Sequence, residues 1–339
     1  MPEDFAAFHH EQAKGAGKTP AEMARSGLEQ THSDVEGTGT PPPIHYLSGL
    51  TPIVAEPGRM DFLLPASGWL VSARGEITST AISFLADAPI GGAVMTAMPP
   101  RTAIPTVELS LLYLGAAEPS EPDLLGQGRM ISQDGRTAAS TVEVFSGGRR
   151  LAVGTTRMMI EPILVPVSAA PLPEGKAVDP FRRPVEGGTV PSDVWQAAAG
   201  IEVLRAQLTG DLPESPIARL MGIRLDAVDA GLVVGRALAS GWMASPSGTL
   251  YGGWAAAALD FAITGAAQSM TVPGGREVML DLKVNYLRPL VPQGQMLALE
   301  ARLSHRGGRI VIGEAILARD DGKQVARAVG TAHLRDPPE

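Results

Sequence analysis

Hydrophobic and polar positions alternate most clearly over residues 278–287. There Val278, Leu280, Leu282, Val284 and Tyr286 interleave with Met279, Asp281, Lys283 and Asn285, the period of two expected of a half-buried strand. Met296 to Ser304, Arg309 to Ala318 and Gln324 to Leu334 read as further strands, divided by the turns Arg306-Gly307-Gly308 and Asp320-Asp321-Gly322. Gly231 to Ala239 reads as the first strand of the series. Between it and residue 278 the pattern changes. Trp254 to Ala267 is apolar almost all round, broken by Asp260, and a helix without a polar face must be enclosed on most sides. The predicted order is strand, long helix, then several strands joined by short turns.

The same order occurs earlier in the chain, with Ala81 to Val94 as the helix and Thr106 to Leu114 as the strand that follows. An offset of 173 superimposes the two copies. It places Gly49 on Gly222, Ala66-Ser67-Gly68-Trp69 on Ala239-Ser240-Gly241-Trp242, Asp87 on Asp260 and Tyr113-Leu114 on Tyr286-Leu287. One register held without a gap from about residue 43 to 115 marks a duplication. A Pro-rich stretch, Glu161 to Pro191, separates the copies and reads as a linker. A helix then opens at Ser192-Asp193 and runs to about Leu208, and its counterpart at the offset is Thr19 to Gln30.

An antiparallel sheet curled around one central helix encloses such a helix, and this is the hotdog arrangement. The expected fold is therefore α+β, two tandem hotdog units forming an internal pseudo-dimer. The expected divisions are an N-terminal helical or flexible preface over 1–42, unit 1 over 43–161, the linker and helix over 162–216, and unit 2 over 217–339.

Composition narrows the functional classes. With 339 residues, 44% of them hydrophobic, there is material for two cores. The net charge of −8, without long Lys/Arg clusters, argues against nucleic acid as a partner. The chain has no cysteine, which removes disulfides, thiolate nucleophiles and Cys-zinc sites and fits a reducing compartment. The scattered histidines show no metal spacing. The start, MPEDFAAFHHEQAKG, lacks the basic and apolar regions of a secretory signal. The weakly polar run Gly252 to Met270 falls short of the roughly 20 strongly apolar residues of a membrane span. A cytoplasmic protein without a membrane partner is expected.

Asp260 and its repeat partner Asp87 sit inside apolar helices, with no Lys or Arg three or four residues away. A buried, unpaired carboxylate responds by raising its pKa or by lining a polar site. It is then a candidate base or nucleophile, although a buried Asp held by a neighbouring loop is an equal alternative. Thr249-Leu250-Tyr251-Gly252-Gly253 brings two glycines to a helix N-terminus. There, unpaired N–H groups favour negative charge and can hold an oxyanion.

The run Gly248 to Gly253, with Asp260 nine residues after Tyr251, resembles the phenylacetate-pathway (PaaI-type) hotdog thioesterases, whose pattern is His-Gly-Gly and then a carboxylate at this spacing. Asn285-Tyr286-Leu287-Arg288-Pro289, His305 to Arg309, Asp321-Gly322-Lys323 and Gly330-Thr331 are similar to their later strands and turns. The resemblance covers about Ile217 to Leu334. It implies hydrolysis of acyl-CoA thioesters without a metal or other cofactor, CoA entering only as part of the substrate. A helix carboxylate would activate water or attack directly, and a loop glycine N–H would polarise the carbonyl.

Gly252 and Asp260 are separated by roughly 12 Å along a straight helix, so one site must take its loop from one unit and its carboxylate from the other. Site one combines Asp87 with Gly252-Gly253 and, at the place where family members carry a hydroxyl, Thr106. Site two combines Asp260 with Thr78-Ser79-Thr80 and has Met279 in place of the hydroxyl. Asp87, Thr106 and Gly252 are the expected working site. Two positions depart from the family, for its His is Tyr251 here and a water-positioning Asn is Ser245. Arg306 and Arg309 lie on a turn that resembles one near CoA in the family, though a solvated turn explains them equally well. The alternatives are a non-catalytic acyl-CoA or fatty-acyl binding protein and a hotdog hydratase or dehydratase. The last is disfavoured because no His accompanies the helix carboxylate. A homodimer of the double chain is compatible with the fold.

Overall fold

A computed structural model describes residues 5–163 and 177–337. Helices α1 (Pro20–Met23), α2 (Gly27–Val35) and α3 (Pro43–Ser48) precede strands β1 (Thr51–Glu56) and β2 (Arg59–Leu64). The long helix α4 (Ser79–Met95) comes next, then β3 (Thr102–Ala103), β4 (Thr106–Tyr113), β5 (Leu124–Gln133), β6 (Thr137–Ser146), β7 (Arg149–Met159) and β8 (Glu161–Pro162). The second series is α5 (Ser192–Ala197), α6 (Gly200–Thr209), α7 (Pro216–Met221), β9 (Ile223–Asp229), β10 (Leu232–Ala239), α8 (Gly252–Gln268), β11 (Arg276–Tyr286), β12 (Gln295–Arg306), β13 (Ile310–Ala318) and β14 (Gln324–Arg335).

The repeat is visible in these bounds, since adding 173 to both ends of α4 gives α8, and to both ends of α3 gives α7. Twelve strands form one antiparallel sheet in the order β1-β2-β5-β6-β7-β4-β11-β14-β13-β12-β10-β9. It joins the two units at its centre, where β4 and β11 pair from Glu108 opposite Asn285 to Leu112 opposite Asp281. Helices α4 and α8 lie on this sheet and against each other. The fold is a double hotdog.

The near absence of a polar face on α8 has its reason in this enclosure. Every residue from Gly253 to Gln268 is buried except Phe261 and Thr264. The Ala-rich sequence favours helix intrinsically, but burial between sheet and partner helix is what stabilises it. Trp69 and Trp242, related by the repeat, are both buried, and each donates its indole N–H to a backbone carbonyl, of Arg183 and Phe8 respectively. They are core residues.

Two expectations need correction. The helix read from Ser192 to Leu208 is two helices, because Ala198 leaves helical geometry (φ −113°, ψ 144°) and Glu202 caps a new start at the Ala199 amide. Gly200 then lies so close to α8 that an added Cβ would stand 2.0 Å from the Gln268 carbonyl oxygen, and its repeat partner Gly27 likewise 1.8 Å from that of Met95. Thr19 to Gln30 breaks for the same reason. In the second unit Gly231 to Ala239 is not the first strand. Ile223–Asp229 precedes it as the sheet edge, and its many solvent-facing residues hide the alternation.

Candidate active site

Antiparallel packing of α4 on α8 sets each helix N-terminus beside the carboxylate of the other helix. At the first junction a Cβ on Gly252 would stand 2.9 Å from both Asp87 carboxylate oxygens, so only glycine leaves the space free. The N–H groups of Gly252 and Gly253 belong to the first helical turn, ahead of the first intrahelical bond from Ala255 to Tyr251. Asp87 is 9% exposed. Burial pushes its carboxyl up to about 6, against the opposing pull of the Gly253 amide, the Thr106 hydroxyl and the Gly252 amide. These donors lie near enough to ease the charge, yet none closes a hydrogen bond on Oδ1, which is buried without a partner.

Two tyrosines fix this loop. Tyr251, in the place of the family histidine, donates its hydroxyl to the Phe84 carbonyl at 2.8 Å and meets the Phe84 ring edge-on at 5.2 Å. Tyr286 donates to the Gly252 carbonyl at 3.0 Å. In a planar trans peptide the carbonyl and the following N–H point in opposite directions. Holding the Gly252 oxygen therefore orients the Gly253 N–H. Ser245 stays within its own loop, its hydroxyl 2.9 Å from that of Ser247 and 3.4 Å from that of Thr249.

The second junction is built differently. Asp260 is 0% exposed and accepts from Ser79 at 2.8 Å, Thr80 at 2.8 Å and Tyr113 at 3.1 Å. Tyr113 is also 2.6 Å from the Ser83 hydroxyl. Burial raises the Asp260 carboxyl to about 6 despite these hydroxyls; Thr264 adds to their pull, but in no hydrogen-bond geometry. Ser79 and Thr80 are the repeat partners of Gly252 and Gly253, so side-chain hydroxyls stand where the first junction has glycines. The sequence reading left this site with its carboxylate alone and missed Tyr113. Its position opposite Tyr286 in the repeat is the signal that marks it.

Arg306 and Arg309 are not brought to either junction. Arg306 donates to the Ala230 carbonyl at 2.5 Å, and Arg309 pairs with Asp336 at 3.2 Å on the surface. Both are explained as turn residues of the outer sheet. A cavity of about 540 Å³ opens beside the second junction, lined by Ser79, Thr80, Tyr113, Phe261, Thr264 and Met279 among others. Among the described residues no group of three His, Cys, Asp or Glu is placed to hold a metal ion, and no helix is long and apolar enough to cross a membrane.

Sheet order, repeat and paired helices together define a double-hotdog protein, and comparison with known proteins agrees. The pattern of the thioesterase superfamily matches residues 247–326. A phenylacetic acid degradation-related protein from Ralstonia eutropha JMP134 is 30% identical, covering 38% of this chain and 98% of its own, with a TM-score of 0.36. The chain belongs to the thioesterase superfamily. The tesB protein of Mycobacterium avium subspecies paratuberculosis has the same fold across both units. It is 12% identical, covering 92% of this chain and 100% of its own, with a TM-score of 0.52. An acyl-CoA thioesterase II from Mycobacterium marinum is similar, at 12% identity, 87% and 97% coverage and a TM-score of 0.51. No curated protein matches the sequence.

Proposed function

We propose that the chain hydrolyses an acyl-CoA thioester at the first junction, with Asp87 as base and the Gly252 and Gly253 amides as the oxyanion site. One observation carries this reading. Asp87 keeps one carboxylate oxygen without a partner, beside the helix N-terminal amides of Gly252 and Gly253 contributed by the other unit. Asp260, sealed behind three hydroxyls, offers no such oxygen to a water molecule.

In this reading the thioester carbonyl takes over the amide donors, which stabilise charge as it develops. Asp87 removes a proton from water while the water oxygen bonds to the carbonyl carbon. Collapse of the tetrahedral intermediate breaks the C–S bond, and the thiolate leaves with the proton held by Asp87, giving a carboxylic acid and free CoA. Thr106 holds the carboxylate in place. Tyr251 acts on the loop and not on water, as its hydroxyl is already committed to Phe84.

Release of free thiol from a panel of acyl-CoAs, short, long and aromatic, tests the activity. Turnover of at least one class is expected. Saturable binding of the panel with no turnover would replace this reading with the non-catalytic binding protein, which the closed carboxylate at the second junction resembles.

A further inference from the structure

Residues 5–18 and 178–190 precede the two units, and each stretch crosses to the unit that it does not precede. Helices α1 and α2, which follow the first stretch, sit on unit 1. There the Gly27 N–H donates to the Met98 carbonyl at 2.9 Å, and His32 Nε2 is 3.0 Å from the Ala55 oxygen. The stretch itself lies on unit 2. Phe8 is fully buried, and its carbonyl accepts the Trp242 indole N–H at 2.7 Å. His9 spans the Ser240 hydroxyl at 3.1 Å and the Arg219 carbonyl at 3.0 Å. The Lys18 N–H donates to the Pro246 carbonyl at 2.8 Å. A Cβ on Gly241 would stand 3.4 Å from that of Ala13, and one on Gly17 3.1 Å from the Gly248 nitrogen.

These contacts follow the loop 240–251, which ends at Gly252. The loop is closed on itself by the Ser245 N–H on the Thr249 carbonyl at 2.8 Å and the Tyr251 N–H on the Met243 carbonyl at 2.9 Å. The Ile44 N–H holds the Ala244 carbonyl at 3.2 Å, and the Leu290 carbonyl holds the Leu250 N–H at 2.7 Å. The tip between them, 246–248, is the part that residues 17 and 18 hold. Packed backbone of this kind transmits strain, so a push at the tip reaches the helix start.

The second stretch does the same in reverse. The Arg183 carbonyl accepts from Trp69 at 3.2 Å, and the Val190 N–H donates to the Ala73 carbonyl at 2.8 Å. Val185 and Thr189 lie 3.3 and 3.5 Å from Cβ positions on Gly68 and Gly75. Gly68, Trp69, Ala73 and Gly75 are the repeat partners of Gly241, Trp242, Pro246 and Gly248. The crossing is therefore a property of the duplicated unit and not of one terminus. The second strap holds the loop that ends at Ser79 and Thr80, where the carboxylate is sealed.

We infer that residues 5–18 are a positioning element of the first junction, a strap from unit 1 that fixes the unit 2 loop leading to the Gly252 and Gly253 amides. Its effect on rate rests on hydrolysis taking place there; its bracing of the loop does not.

Gly17→Val in the full chain sets a branched side chain against the backbone of Pro246 and Gly248, and Gly17→Ala is the milder step should the first fail to fold. Val185→Ala loosens the other strap and serves as the control. Hydrogen exchange of amides 244–253 should quicken in the Gly17 variants and stay unchanged in Val185→Ala. In Gly17→Val kcat/KM should fall by about 10–10²-fold, the cost of a reacting group misplaced by up to about 1 Å, and Val185→Ala should keep the wild-type value. The Gly252 and Gly253 amides draw the Asp87 carboxyl down against its burial. Weakening them should move the acid limb of the profile above about 6, whereas loss of folded enzyme lowers the rate and leaves the limb in place. Other groups stay silent in that range, since burial holds His9 down at about 4 and pushes the Tyr251 and Tyr286 hydroxyls up. Unchanged exchange in both Gly17 variants overturns the proposal. So does an acid limb still at about 6 when Asp87→Asn abolishes turnover. Turnover indifferent to Asp87→Asn overturns the reading of the first junction instead, and exchange alone then decides whether the strap braces the loop.

Discussion

Gly252 and Gly253 both offer amides to the site but face different neighbours, and replacing each by alanine separates an effect on catalysis from one on folding. In Gly252→Ala the new methyl would stand 2.9 Å from both oxygens of Asp87, several tenths of an ångström inside ordinary contact. The neighbour that must yield is a side-chain end, and the position is in a first helical turn, where alanine is preferred over glycine by up to about 1 kcal/mol. Stability should therefore change by less than about 1 kcal/mol. The methyl fills the gap where the thioester carbonyl meets the amides, so kcat/KM should fall by about 10²–10³, the usual effect of losing one oxyanion donor. In Gly253→Ala the methyl meets backbone, 2.3 Å from the Phe84 carbonyl oxygen and 2.6 Å from the Tyr251 ring. Helix α4 must move, at about 1–3 kcal/mol. Urea unfolding and thiol release measured on both variants give the comparison. Full kcat/KM in Gly252→Ala, or wild-type stability in Gly253→Ala, refutes the reasoning.

Two further predictions concern pH. Because Asp87 must be ionised to act and burial holds its carboxyl up to about 6, kcat/KM should rise tenfold per unit below about pH 6 and level off above it; a flat profile from pH 5 to 8 excludes Asp87 as the base. Asp260 is also raised to about 6, above the roughly 3.9 of an unfolded Asp. Between those values the native state binds more protons than the unfolded one, so its contribution to stability is lost as pH rises through about 4 to 6. Asp260→Asn removes this term, and its unfolding free energy relative to wild type should improve by about 2 kcal/mol between pH 4 and pH 7. A difference independent of pH in urea titrations contradicts it.

The duplication and the composite pairing of each carboxylate with the opposite loop were legible because both depend on spacing along the chain. The offset of 173 put Asp87 and Asp260 at one structural position, and eight residues of helix were enough to show that Gly252 and Asp260 belong to different sites. What escaped the sequence depends on packing between distant segments. Tyr113 reaches Asp260 across 147 residues, and no local pattern announces that contact. The breaks before Gly27 and Gly200 follow from helix ends pressing against α4 and α8, while the residues themselves read as continuous helix. Arg306 stands at a turn of the chain, yet its guanidinium is spent on the Ala230 carbonyl. The cavity beside the second junction arises from side chains of seven or more elements and has no sequence signature. The linker residues 164–176 lie outside the described residues.

The central claim is that two carboxylates related by one repeat have unequal duties. Single-turnover hydrolysis of an acyl-CoA by Asp87→Asn and Asp260→Asn, each compared with wild type, tests it most directly. The account predicts a loss of at least 10²-fold for Asp87→Asn, within the range for removal of a general base, and near-wild-type chemistry for Asp260→Asn. Full activity in Asp87→Asn, with the loss appearing in Asp260→Asn, would contradict it.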